Sequence, residues 1–67
     1  MTDKMMDRIN NMIKNAVAHY DSNGHTWDDT HKLNMAEIKG AVEMLKIATG
    51  KNYFITDQGL VEDKKFH

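Results

Sequence analysis

The chain has 67 residues, ten acidic and nine basic side chains for a net charge of −1, and no cysteine. That length allows one small domain at most, and the missing thiols remove disulfides, zinc ribbons, iron–sulfur clusters and thiol catalysis while making a reducing, cytoplasmic location natural. The charge balance favours neither polyanion binding, which needs a basic stripe, nor DNA mimicry, which needs an acidic excess.

From Thr2 to Tyr20 the residues Met5, Met6, Ile9, Met12, Ile13, Ala16, Val17 and Tyr20 recur at helical spacing. Asp7, Arg8, Asn11, Lys14 and Asn15 lie on the other side. The pattern predicts an amphipathic helix over about 3–20, capped by Thr2 or Asp3, with three methionines on its apolar face that suit an irregular core or an adaptable surface. Asp21-Ser22-Asn23-Gly24 should end it, since each residue favours a turn. A hairpin turn at Asn23-Gly24 would interrupt a 3.6-residue period that reaches Tyr20 unbroken.

Residues 25–32 read as a polar connection with one large apolar side chain, Trp27, which either pins the loop to the core or contacts a partner. His19, His25 and His31 recur every six residues among Asp21, Asp28 and Asp29, which gathers zinc or nickel ligand types at a spacing that matches no short zinc motif. No metal site or cofactor is therefore expected, and a metal-binding protein using these histidines is an alternative reading. Ser22, His25 and Asp28 are the residue types of a hydrolase triad, but they lie in one loop without an oxyanion hole. The expectation is a non-enzymatic protein.

The most complete set of helix signals lies at Leu33–Lys51. Asn34 with Glu37 forms a capping box, Leu33 can staple onto Ile38, and Gly50 can close the helix in the left-handed conformation, predicting a helix over about 35–49. Ile38, Ala41, Val42, Leu45 and Ala48 form one apolar stripe, and Leu33, Gly40, Met44 and Ile47 form a second. Only Lys39, Glu43 and Lys46 clearly face water, so the helix should be covered on two sides by the rest of the chain or by a partner. Gly40, which costs up to about 1 kcal/mol of helix propensity, suggests a close backbone approach.

Tyr53-Phe54-Ile55-Thr56, then Asp57-Gln58-Gly59 and Leu60-Val61-Glu62, read as a β-hairpin with strands over about 53–56 and 60–63 and Gly59 at a left-handed turn position. The charged tail from Asp63 to His67 reads as frayed, with Phe66 able to fold back. The fold class is thus α+β: two packed helices joined by a polar loop and followed by a C-terminal hairpin.

The run Tyr53-Phe54-Ile55-Thr56-Asp57-Gln58-Gly59-Leu60 also resembles the strand-then-helix segment that follows the recognition helix in winged-helix DNA-binding proteins. This resemblance implies a nucleic-acid-binding regulator, with Thr56 capping a third helix from Asp57 toward Phe66.

The function this composition suits is a protein-binding module that modulates or inhibits a partner. Small inhibitors from phages and mobile elements, including the anti-CRISPR kind, share its size and composition. Trp27, Tyr20, Tyr53, Phe54 and Ile55 are the candidate partner-binding residues, because aromatic side chains carry much of the energy of interfaces. A core this small supplies about 3–5 kcal/mol of net stability, which makes a homodimer or a hetero-complex an expected source of more. No apolar run approaches the roughly 18 residues of a membrane span, and the N-terminus, with Asp3 and Asp7, does not read as a signal peptide.

Overall fold

A computed structural model describes residues 2–63. Helix α1 (Thr2–Ser22) is followed by helix α2 (Asp29–Thr49), strand β1 (Asn52–Thr56) and strand β2 (Gly59–Asp63). The two helices pack together, and the antiparallel hairpin lies against both, so the layout is α+β.

Helix α1 follows its periodicity. Ile9, Ile13 and Ala16, spaced four and three residues apart, are buried, and Met5, Met6, Met12 and Val17 flank them. The helix already runs at Thr2, so Asp3 lies in its first turn beside the positive end of the dipole. It ends where Gly24 and His25 adopt positive φ and the His25 amide donates to the Tyr20 carbonyl at 2.9 Å.

Helix α2 begins six residues before the expected start. Asp28, with extended backbone, is its N-cap, accepting a 2.8 Å hydrogen bond from the amide of His31. The Asn34–Glu37 capping box and the Leu33 staple are therefore not used, and Leu33 and Asn34 lie within the helix. Asp28 and Asn34 are both competent caps; with the earlier one in use, a carboxylate holds an orphan amide and Asp29 lies in the first turn. The added turn lacks apolar periodicity, but it brings His31 into the core. At the other end Gly50 has φ 70° and its amide donates to the Lys46 carbonyl at 2.8 Å, as a left-handed terminator requires.

Of the two α2 stripes, one is inside except at its last residue, Ala48, which is exposed at the edge of the stripe. Ile38, Val42 and Leu45 are buried with Ile9, Ile13, Ala16 and Tyr53. The second stripe is not covered: Leu33 is 61%, Met44 66% and Ile47 83% exposed. Nor does any other part of the described residues approach Gly40 closely, since a Cβ built there meets none of their atoms within 4 Å.

The hairpin pairs Thr56 with Gly59 through Asn52 with Asp63, so the loop is Asp57-Gln58 and β2 starts one residue earlier than expected. Neither loop residue has positive φ; Gly59 does, at 132°, outside the left-handed helical region. The third helix that the winged-helix resemblance implies is replaced by β2. Asp63 closes that strand rather than opening a tail, and residues 64–67, including Phe66, lie outside the described residues.

Candidate functional site

Alternation along β1 sorts three of the sequence-derived contact residues. Tyr53 and Ile55 face inward and Phe54 faces water, because successive strand side chains point to opposite faces. Tyr53 is only 7% exposed and belongs to the core, so it is not available to a partner. Ile55 is half-buried against the same cluster, while Phe54 stands exposed on the opposite face of the hairpin.

Ile55 meets the other two residues in a groove of about 330 Å³ between α1, the start of α2 and the hairpin turn. Ile13, Val17 and Met35 contribute apolar surface, Tyr20, Trp27 and His31 contribute rings, and Asp21 and Asp57 contribute carboxylates. Trp27, 54% exposed, stands edge-on to His31 with ring centres 4.4 Å apart, and Tyr20 lies 5.0 Å from the same imidazole. The tryptophan packs the loop against Tyr20 and His31 on one side and meets solvent on the other.

His31 is the residue the sequence reading undervalued. It is 5% exposed, and among the described residues its buried Nδ1 has no hydrogen-bond partner. A signal existed in its place three residues after Asp28, the spacing of a cap and the amide it binds.

Asp28 fixes the loop that carries Trp27. Besides the His31 amide, its carboxylate accepts from His19 Nε2 at 3.0 and 3.1 Å and from Asn23 Nδ2 at 2.9 Å. The His31 amide bond first, then the His19 ring, hold the Asp28 carboxyl below the usual carboxylate range. His25 pairs instead with Asp21 at 3.3 Å, on the surface. The three histidines are therefore divided among different neighbours, and among the described residues no group of three His, Cys, Asp or Glu side chains is arranged to hold a metal ion. Ser22, His25 and Asp28 are not linked either: the Ser22 hydroxyl donates to the His19 carbonyl at 3.0 Å.

A second surface lies on α2. At 100° per residue Leu33, Gly40, Met44 and Ile47 fall within a narrow arc directly opposite His31, Ile38, Val42 and Leu45, with Ala36 at its edge. Lys32, Lys39 and Lys46 recur every seven residues along one flank of that arc. Among the described residues no helix is long and apolar enough to cross a membrane. Compared with known proteins, the chain matches no family model, no curated protein and no solved structure, so its residues alone carry the functional argument.

Proposed function

We propose that the protein binds another protein through the outer face of α2 and modulates or inhibits what it binds. The carrying observation is the exposure of Leu33, Met44 and Ile47 in one line on a helix whose opposite face is already anchored in the core. Leaving such surface in water forgoes about 25 cal/mol for each Å² of apolar area, and contiguous apolar surface on a folded domain marks interaction sites.

The small residues at Ala36 and Gly40 lie between these large ones and leave room for a ridge from another helix to seat close to the α2 backbone. The flanking lysines select among occupants. Two copies packed antiparallel through this face would bring the two rows of Lys32, Lys39 and Lys46 together; Glu43, on the same flank and 3.5 Å from Lys46, offsets one lysine of each row, and the like charges left across the interface cost affinity. A partner helix with an apolar stripe and an acidic flank complements both features. The interface proposed here differs from the one the sequence suggested, which was formed by Trp27, Tyr20, Tyr53, Phe54 and Ile55, and lies on a face of α2 expected to need cover.

The test places a photo-crosslinking residue at Ile47 and, as a control, at Lys14 on the exposed side of α1. Position 47 should capture one protein through an acidic helical segment, and position 14 should not. With that partner purified, Ile47→Glu should weaken binding by about 30-fold or more, the loss typical of a central interface residue. Unchanged affinity in a folded Ile47→Glu protein would overturn the reading. A covalent dimer of this chain formed from position 47 would replace the hetero-partner with a second copy.

A further inference from the structure

We propose that the groove bounded by Tyr20, Trp27 and His31 is a binding site for a small organic cation, an amine or guanidine carried on an apolar body. The site is separate from the outer face of α2 and stands or falls independently of it.

Its shape and lining set the ligand class. At about 330 Å³ it lies at the lower end of the range for small-molecule pockets. Its floor and walls are aliphatic at Ile13, Val17, Met35 and Ile55, which asks for an apolar body. Tyr20 and Trp27, with ring centres 6.5 Å apart and planes at 76°, both line the groove. Aromatic faces attract cations through their quadrupole, most strongly when the cation is desolvated.

Among the described residues the carboxylates of Asp21 and Asp57, both exposed, line the groove and no lysine or arginine does. Asp21 has a partner in His25, but both side chains are largely in water, so that pair is weak and a ligand cation can displace it.

An independent observation points the same way. His31 lines the groove, and its Nδ1 is buried with no hydrogen-bond partner among the described residues, a condition that costs free energy. With the proton on Nε2, Nδ1 is an acceptor that lacks a donor. An ammonium or guanidinium brings N–H donors with it. Trp27, more than half exposed, packs beside this imidazole at the groove, with ring centres 4.4 Å apart.

Because the chain has a single tryptophan, its fluorescence reports on this site alone. The wild-type protein is titrated with three probes of similar shape: phenethylammonium, 2-phenylethanol and 3-phenylpropionate. Phenethylammonium should saturate with a dissociation constant at least tenfold below that of the alcohol, and the anion should give no saturable change. At saturation the nitrogen-15 resonance of His31 Nδ1 should move. Asp57→Asn and Asp21→Asn should each reduce the ratio of cation to alcohol affinity several-fold, a change of ratio that a merely structural role would not produce. Equal affinity for cation and alcohol, no saturable response to the cation, or an unmoved Nδ1 resonance would each overturn the assignment. So would tighter binding of N-acetyl-lysine methylamide than of phenethylammonium, which would make the groove a receptor for a partner's basic side chain.

Discussion

Asn10, midway along α1, accepts a 2.8 Å hydrogen bond at its Oδ1 from the backbone amide of Leu60 in β2, fifty residues further along the chain. The Leu60 amide points away from β1 toward the helix, so one side chain both satisfies the outer edge of β2 and sets the hairpin's position on α1. Asn10→Ala should destabilise the protein by about 1 kcal/mol by leaving that half-buried amide unpaired. Asn10→Asp, which keeps an acceptor, should recover most of the loss. Urea midpoints of the three proteins measure this, and equal midpoints would remove the bond from the account.

Gly59 touches the same contact. Its φ of 132° is one that side chains rarely adopt, and an added Cβ would lie 3.0 Å from Asn10 Oδ1 and 3.5 Å from Asn10 Cγ. Gly59→Ala should cost about 1–3 kcal/mol through backbone strain. Combining it with Asn10→Ala should cost less than the sum, because the smaller side chain removes the crowding but not the strain. An additive double mutant would show that the crowding contributes nothing.

The two possible caps of α2 can be compared directly. Asp28→Ala should lower the melting temperature by several degrees, since it frees the His31 amide and releases His19 and Asn23. Asn34→Ala should leave the melting temperature unchanged or raise it, because Asn34 lies within the helix, where alanine is the better residue. The reverse order would place the helix start at Asn34.

The Asp28 carboxyl is held below its ordinary range by the His31 amide and the His19 ring. Folding thus favours the ionised form, and the unfolded chain binds this proton more readily. The stabilisation is present above the unfolded carboxyl's range and is lost as pH falls through the lower folded value. Asp28→Asn keeps a capping oxygen without the charge. Melting temperatures of wild type and Asp28→Asn should therefore differ at neutral pH and converge in acid below the usual carboxylate range; a gap constant down to pH 2 would contradict the assignment.

The two faces of α2 should respond oppositely to substitution. Leu45→Ala, at a fully buried position, should cost about 2–5 kcal/mol. Met44→Lys and Ile47→Glu on the exposed face should change stability by no more than about 0.5 kcal/mol, measured by denaturant unfolding. A large loss at position 47 would mean that the stripe is covered in solution by a second copy.

Sequence alone determined much of this protein. The uninterrupted period from Met5 to Tyr20 specifies α1 and its buried face, Gly50 specifies where α2 ends, and the β-prone run with Gly59 specifies a hairpin. These are local matters, decided by side-chain spacing and by the few residues that tolerate a given φ. Tertiary structure decided where α2 begins, which of its two apolar stripes turns inward, and that Tyr53 fills the core while Phe54 remains outside. Asp28 and Asn34 are both competent caps, differing locally by no more than about 1 kcal/mol, so the packing of His31 against Tyr20 and Trp27 settles between them. Two stripes of similar hydrophobicity are likewise equivalent until α1 and the hairpin cover one of them. The uncovered stripe and the orphaned nitrogen of His31, on which the functional argument rests, exist only once the chain is folded.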